Sequence, residues 1–228
     1  MITYPIGLLS QKGGAIPRTN LVAEWLGGSI TDTSVNSYNG TLNGSPNPSK
    51  TTGINGVADT AWSFVSANSQ YIDFGDIPEI RNVGKLSIST WFKRAASGNV
   101  SVGNCTFNIL NGSFLLLDTT IAYASTRTAS SQPLKSTGNS STDWVHLVQV
   151  FDGSNAVEDD KILLYVNGVE LGNRQGFAPA LSPNIITSFK YGSMAVFGFS
   201  DGDIGVTRVY DRDLTLEEVG LLYAEKTI

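Results

Sequence analysis

Acidic side chains are the residues of this sequence that could do hydrolytic chemistry, and their spacing decides whether they can act together. Cleavage of a glycosidic bond needs two carboxyl groups that face each other across the bond, one as acid and one as base or nucleophile. Glu158, Asp159 and Asp160 are consecutive in a loop-like segment, where neighbouring side chains diverge. Glu217 and Glu218 fall at the start of a predicted helix. Neither group predicts a catalytic pair, and no catalytic residue is assigned.

Histidine and cysteine each occur once, which limits nucleophilic and metal chemistry. His146 lies in an apolar run between Trp144 and Val148, so we expect a buried structural role and not activation of a serine nucleophile. Cys105 has no second cysteine for an intrachain disulfide, and a single thiol does not indicate a zinc site, which usually needs several Cys or His ligands. No glycine-rich loop opens a helix, so the sequence predicts no nucleotide site.

Aspartates in turn-like segments could together bind calcium, which takes about six to eight oxygen ligands from loops. Two interpretations stay open: a calcium site, or exposed turn residues that hydrogen-bond to local backbone groups. The second is preferred, and no metal or other cofactor is assigned. The candidate calcium ligands are Asp32, Asn36, Asp59, Asp76, Asp152, Asp201 and Asp203.

Aromatic side chains are the candidates for sugar binding, which uses an exposed ring face with hydrogen-bonding groups beside it. Tyr38, Phe177 and Phe189 lie in loop-like surroundings and are the better candidates for such a face. The four tryptophans fall in strand-like runs and are expected in the core; they are Trp25, Trp62, Trp91 and Trp144. The ligand-binding residues are unknown from the sequence, because one sequence does not show which rings cluster in space.

Composition excludes several classes of protein. The 15 basic and 20 acidic residues give a net charge of −5 and a pI near 4.8, without a basic cluster, so nucleic acid is not an expected partner. No stretch of about 18 apolar residues predicts a membrane span. Glycine contributes 24 of 228 residues and charged residues only 15 %, which is typical of a β protein with many turns.

Short apolar runs separated by Gly, Asn, Pro and Ser clusters predict an all-β fold. Asn167-Gly168 predicts a tight type I′ hairpin. Thr215 and Glu218 predict the capping box of one short C-terminal helix. Segments 43–56 and 125–143 are expected to be loops. The predicted strands are Leu21–Trp25, Ala61–Val65, Gln70–Phe74, Lys85–Lys93, Ser113–Leu117, Ile121–Ser125, Trp144–Phe151, Lys161–Val166, Tyr191–Phe199 and Asp203–Tyr210.

Four blocks, in order along residues 21–225, resemble the laminin G-like branch of the concanavalin A-like lectin/glucanase superfamily. They are LVAEWLGGSITDTSVNSYNGTLNG, DTAWSFVSANSQYIDFGDIP with LSISTWFK, DWVHLVQVFDGSN with KILLYVNGVEL, and GDIGVTRVYDRDLTLEEVGLLY. The resemblance implies a two-sheet antiparallel jelly-roll sandwich. The strand motif E-x-D-x-x-E of the superfamily's glucanases is absent here. Gly205 and Val206 stand where many relatives carry an acidic pair, with Asp203 two residues upstream of Gly205.

These observations predict an N-terminal arm over residues 1–20 and a laminin G-like domain over residues 21–228. Within the arm, Ile2, Tyr4, Ile6 and Leu8 alternate, as expected of an extended segment that lies on another surface. The alternative is a frayed chain terminus. The N-terminal residues lack the basic leader and apolar core of a signal peptide.

The preferred hypothesis is a non-enzymatic structural or adhesive protein on the exterior of a bacteriophage particle, as a capsid decoration or tail-associated module. Its partners would be other virion proteins or further copies of the chain, bound through the arm, and a cell-surface glycan. The alternative is a free, extracellular bacterial carbohydrate-binding module or lectin. A glycoside hydrolase is the third hypothesis. The sequence does not fix the attachment point, the oligomeric state, the glycan or calcium occupancy.

Overall fold

β-strands dominate the part of the chain that the computed structural model describes, which is residues 14–81, 83–104, 112–127, 134–157, 160–171, 173–175, 188–194 and 198–225. The strands in chain order are β1 (Leu21–Trp25), β2 (Thr41–Asn43), β3 (Ser49–Thr51), β4 (Ala61–Phe64), β5 (Tyr71–Asp76), β6 (Lys85–Arg94), β7 (Val100–Gly103), β8 (Gly112–Leu117), β9 (Ile121–Arg127), β10 (Leu134–Gly138), β11 (Val145–Asp152), β12 (Ile162–Val166), β13 (Val169–Leu171), β14 (Asn173–Gln175), β15 (Ser188–Tyr191), β16 (Ser193–Met194), β17 (Gly198–Phe199) and β18 (Gly202–Tyr210).

Two antiparallel eight-stranded sheets form the sandwich. The first has the order β13-β12-β11-β6-β18-β4-β3, with β1 beside the C-terminal half of β18. The second has the order β14-β10-β9-β8-β7-β15-β5-β2, and β16 and β17 form a separate hairpin. The helix α1 (Leu216–Ala224) follows the last strand. The predicted all-β sandwich with one short C-terminal helix is therefore confirmed.

The core lies between the sheets, because inward positions alternate with outward ones along the central strands. On β11, Val145, Leu147 and Phe151 belong to this core, whereas Val148 and Val150 pack on the opposite face of the first sheet. Gln149 also faces inward, and its Nε2 donates to Thr126 Oγ1 of the second sheet at 2.6 Å. Both faces of β11 are consequently buried, as the sequence predicts.

Helix α1 covers the outer face of the first sheet, where Val219 and Leu222 pack on the β11 valines and on Tyr210. The predicted capping box is present: Thr215 Oγ1 accepts from the Glu218 N–H, and a Glu218 carboxylate oxygen accepts from the Thr215 N–H at 2.9 Å. Such caps typically contribute about 1 kcal/mol to helix stability.

The two ends of the described chain meet on the outer face of the first sheet, which α1 covers. Arg208, which is buried, pairs with Glu24 at 2.7 Å and with Glu225 at 2.5 Å. Arg18 reaches Glu24 at 2.5 Å, and the Pro17 carbonyl accepts from the Tyr210 hydroxyl at 3.2 Å. Residues 14–20 therefore lie against the domain, whereas the rest of the predicted arm is outside the described residues.

Several short strands were missed by the sequence patterns. Segment 43–56 contains β3, and segment 125–143 contains β10, although both were expected to be loops. Ser49 and Lys50 of β3 are exposed at a sheet edge, so this strand shows no apolar alternation. The strand predicted over 191–199 is divided instead: β15 ends at Tyr191, β16 is Ser193–Met194 and β17 begins at Gly198. Gly192, between the first two strands, has a φ of +76°. The predicted hairpin is confirmed, with positive φ at both Asn167 and Gly168.

Candidate functional site

The outer face of the second sheet carries the best candidate site, where β2, β5 and β15 lie side by side. β5 places Ile72 and Phe74 in the core, so Tyr71 and Asp73 project from the other side. β15 likewise buries Phe189 and Tyr191 and directs Lys190 outward. An amphipathic strand thus displays an aromatic ring and a carboxylate next to an ammonium group.

Strand register brings these groups into one row across the sheet. Asp73 pairs directly with Thr41 of β2 on one side and with Lys190 of β15 on the other. Lys190 Nζ lies 3.6 Å from Asp73 Oδ2. The other carboxylate oxygen, Asp73 Oδ1, accepts from the Gly75 N–H at 2.8 Å, which fixes the orientation of the carboxylate. Gly75 has a φ of +72°, a conformation that glycine adopts at little cost.

Aromatic rings border this row. Asn43 pairs with Tyr71 across the sheet, and the Phe199 ring of β17 lies 6.2 Å from the Tyr71 ring, centroid to centroid. Lys190 Nζ lies 5.0 Å from the Tyr71 centroid. Tyr71 and Phe199 are both only partly buried. We call this surface the Tyr71 face; its residues are Asn39, Thr41, Asn43, Tyr71, Asp73, Lys190 and Phe199.

An open groove of about 390 Å³ runs along part of the Tyr71 face. Its lining consists of Asn39, Thr41, Asn43, Asp73, Phe74 and Gly75. Asp73 is the one carboxylate in this lining, and the neighbouring Asp76 is held by Arg81. The groove therefore offers amide, hydroxyl and carboxylate groups for hydrogen bonding but lacks two facing carboxyl groups for hydrolysis.

The predicted calcium ligands are distributed over the molecule, and most of them form hydrogen bonds or ion pairs within the protein. Asp32, which is 6 % exposed, accepts from the backbone N–H groups of Glu24, Ser34 and Tyr38 at 2.8–2.9 Å. It holds the loop after β1 in place. Asn36, in the same loop, donates from Nδ2 to the carbonyl of Val22 on β1.

The other five aspartates lie elsewhere. Asp76 pairs with Arg81, and Asp152 pairs with Lys85. Asp201 accepts from the backbone and side chain of Ser66. Burial raises the pKa of Asp203, while Asp59 is a turn residue with a φ of +62°. Within the described ranges, no three His, Cys, Asp or Glu side chains converge as a metal site would require.

The three aromatic candidates for sugar binding have different outcomes. Phe189 is wrong as a sugar platform, because it is 0 % exposed and packs 5.3 Å from Trp25 on an inward position of β15. Tyr38 is half-buried, and its hydroxyl donates to Glu79. Phe177 lies outside the described residues, so its role stays a prediction.

The tryptophans divide between three environments. Trp25 and Trp62 lie in the core between the sheets, as expected. Trp91 is buried on the outer face of the first sheet, where its ring stacks on Tyr223 of α1 at 5.7 Å. Trp144 precedes β11 and is only half-buried, so its assignment to the core is wrong.

His146 has the structural surroundings that the sequence predicts. The ring is 1 % exposed, 4.9 Å from Trp91, and its Nε2 lies 2.9 Å from Ser89 Oγ. Burial, and secondarily the charge of Arg208, lowers the pKa of His146 to about 3. A neutral imidazole sealed beneath α1 has no access to a substrate.

The remaining sequence candidates are not among the residues that make up the Tyr71 face. Glu217 and Glu218 lie in the first turn of α1, as predicted. Asp160 is exposed, while Glu158, Asp159 and Cys105 lie outside the described residues. The signal that could have indicated the Tyr71 face was the alternation of Tyr71 and Asp73 with Ile72 and Phe74. No pattern in the sequence around this strand indicated that Lys190 or Phe199 would lie beside it.

The two antiparallel sheets and the C-terminal helix are the architecture of a concanavalin A-like β-sandwich. The chain belongs to the Laminin_G_3 family of the concanavalin A-like lectin/glucanases superfamily, whose family model matches residues 66–220. A comparison with curated proteins finds no match. No helix in the described part of the chain is long and apolar enough to cross a membrane.

Solved structures share this architecture at low sequence identity. Domain 4 of AbnA, a GH43 extracellular arabinanase from Geobacillus stearothermophilus in complex with arabinotriose, has a TM-score of 0.64 and 17 % identity, covering 90 % of this chain and 98 % of that domain. A second structure is of botulinum neurotoxin type C, a toxin whose cell entry depends on interaction with two ganglioside molecules. It has a TM-score of 0.67 and 10 % identity, and the match covers 92 % of this chain and 52 % of that one.

The binding domain of Paraclostridial Mosquitocidal Protein 1 has a TM-score of 0.63 and 16 % identity, covering 90 % of this chain and 52 % of that one. This chain thus spans about half the length of the toxin structures that it matches. At these identities the likeness establishes the fold alone.

Proposed function

We propose that this chain is a non-enzymatic glycan-binding domain and that the Tyr71 face is its binding site. The observation that carries the proposal is the placement of a partly exposed ring pair, Tyr71 and Phe199, beside a row of polar groups at Asp73 and Lys190. Sugar recognition combines these two features, because a pyranose has an apolar C–H face and a rim of hydroxyl groups.

The chemistry of the groove favours binding over hydrolysis. Asp73 is its single lining carboxylate, and Asp76 is neutralised by Arg81. The lone His146 is buried on the other sheet. The likeness to an arabinanase keeps hydrolysis as a third candidate, but the matched part of that enzyme is its domain 4, solved with bound arabinotriose. Similarity to toxin binding domains also supports a binding role.

Replacing Tyr71 with alanine is expected to weaken glycan binding by roughly tenfold or more, the effect of removing a central aromatic contact. Stability should change little, because the ring projects from the outer face. The control is Tyr123→Ala, which removes a partly buried tyrosine from the same sheet, where it packs beside Phe114, Leu116 and Met194. Binding is measured on an oligosaccharide array and by titration calorimetry, with product analysis for released sugars.

Equal binding by the wild type and Tyr71→Ala would contradict the site. Release of reducing sugar, abolished by Asp73→Asn, would establish the hydrolase instead.

We further propose that the domain is displayed on the exterior of a bacteriophage particle and is attached through residues 1–20. Supporting this role, β13 is an edge strand that no described strand covers on its other side. Val169 and Leu171 on β13 are 57 % and 42 % exposed. The apolar alternation of residues 2–8 is the pattern that a strand added to such an edge requires.

Deleting residues 2–13 is expected to abolish incorporation into particles, or self-association, while the melting temperature changes by no more than a few degrees. The deletion retains Pro17 and Arg18, which contact the domain. Particles purified on a density gradient are tested for the chain by mass spectrometry. A truncated chain that still bands with particles would contradict attachment through the arm. Recovery of the full chain only from particle-free culture medium would favour the free extracellular lectin.

A further inference from the structure

We infer that the Tyr71 face selects uncharged glycans and discriminates against anionic ones. This inference rests on the glycan-binding function proposed above and adds the class of sugar. The feature that carries it is the environment of Lys190, the cation that projects from this face. Its ammonium group lies 3.6 Å from Asp73 Oδ2 and 5.0 Å from the centroid of the Tyr71 ring.

Lys190 and Asp73 neutralise each other's charge, but they do not form a hydrogen bond with each other. At 3.6 Å the two groups form an ion pair, but the distance is too long for a good hydrogen bond. The Nζ protons and the lone pairs of Oδ2 therefore remain open to a third group. Asp73 does not turn away from this position, because Oδ1 is held by the Gly75 N–H.

A sugar hydroxyl matches this pair because it can donate to Asp73 Oδ2 and accept from Lys190 Nζ at the same time. A carboxylate, sulfate or phosphate offers acceptors only. Such a group would gain the Lys190 contact and would also meet the negative charge of Asp73 a few ångströms away. The repulsion between the anionic group and Asp73 offsets its attraction to Lys190. The pair therefore favours the binding of a neutral sugar ring that carries hydroxyl groups.

The described charged side chains that follow Asp73 along the chain as far as Arg81 add no unpaired positive charge. Asp76, on the same strand as Asp73, is paired with Arg81. Glu79 follows in the sequence and accepts from the Tyr38 hydroxyl. The whole chain has a net charge of −5, which further disfavours anionic ligands.

The test is Asp73→Asn, which keeps the size of the side chain and removes the charge that neutralises Lys190. Binding of neutral oligosaccharides should fall roughly tenfold, the typical loss of a hydrogen bond to a charged group. Binding of sialylated or uronic-acid oligosaccharides with the same backbone should rise above that of the wild type. The matched control is Asp143→Asn, which changes the net charge equally at an exposed loop residue.

The outcomes separate this inference from the proposed function. Wild-type binding to neutral sugars, with a gain for acidic sugars in Asp73→Asn but not in Asp143→Asn, supports the inference. Wild-type preference for acidic sugars, or the same gain in both variants, overturns it while glycan binding stands. Absence of binding to every sugar on the array overturns the proposed function itself.

Discussion

Replacing Trp25 with alanine is expected to lower the free energy of unfolding by about 3–5 kcal/mol, the usual cost of removing a large buried aromatic ring. Trp25 belongs to the first sheet, yet its ring contacts Phe74 at 4.1 Å and Phe189 at 5.3 Å, both in the second sheet. Its indole N–H also donates to the Tyr38 carbonyl at 2.7 Å. The substitution would therefore leave a cavity and an unpaired acceptor.

The matched control is Trp144→Ala, which removes the same side chain from a half-buried position. Urea unfolding followed by far-UV circular dichroism measures both free energies. We expect the loss for Trp144→Ala to be less than half of that for Trp25→Ala. Equal losses would show that the ring contacts of Trp25 do not hold the sheets together.

Trp25→Ala should also impair the glycan binding proposed above, although the ring is 1 % exposed and packs on the inner side of the second sheet, opposite the Tyr71 face. Phe74 and Phe189 are the inward neighbours of Asp73 and Lys190 on β5 and β15. Movement of the two aromatic rings into the cavity would shift both strands. The distance between the charged groups would change as a result.

Acidification is expected to destabilise the domain through His146. The pKa of the buried ring is about 3, against an ordinary value of 6.5, because burial and the charge of Arg208 disfavour the imidazolium ion. Below pH 6.5 the unfolded chain therefore binds a proton that the folded chain does not bind. The stability contributed by neutral His146 is complete above pH 6.5 and is lost as the pH falls towards 3.

The expected slope is about 1.4 kcal/mol per pH unit between pH 6 and 4 for one such proton. His146→Gln removes the titrating ring, and an amide can still bond to Ser89. Urea unfolding of both proteins at pH 7.5, 6, 5 and 4 isolates the histidine, since the carboxylates titrate in both. A constant difference between the two proteins at every pH would contradict the assignment of a buried neutral histidine.

Local sequence determined the elements in which neighbouring residues carry the whole signal. The alternation along β11 specified that both faces are buried, since the side chains of a strand project alternately to its two sides. Thr215 and Glu218 specified the start of α1, because a capping box involves only residues one turn apart. Asn167 and Gly168 specified the β12–β13 hairpin, because a tight turn needs only its two positive-φ residues.

Tertiary structure alone decided the candidate site. Asp73 and Lys190 are far apart in the sequence and meet only because β5 pairs with β15. Phe189 faces the core and Lys190 faces outward, an assignment that depends on the register of one four-residue strand. A shift of that register by a single residue would exchange the two side chains. The sequence therefore determined the sandwich and its helix, whereas pairing between distant strands decided which polar and aromatic groups share a surface.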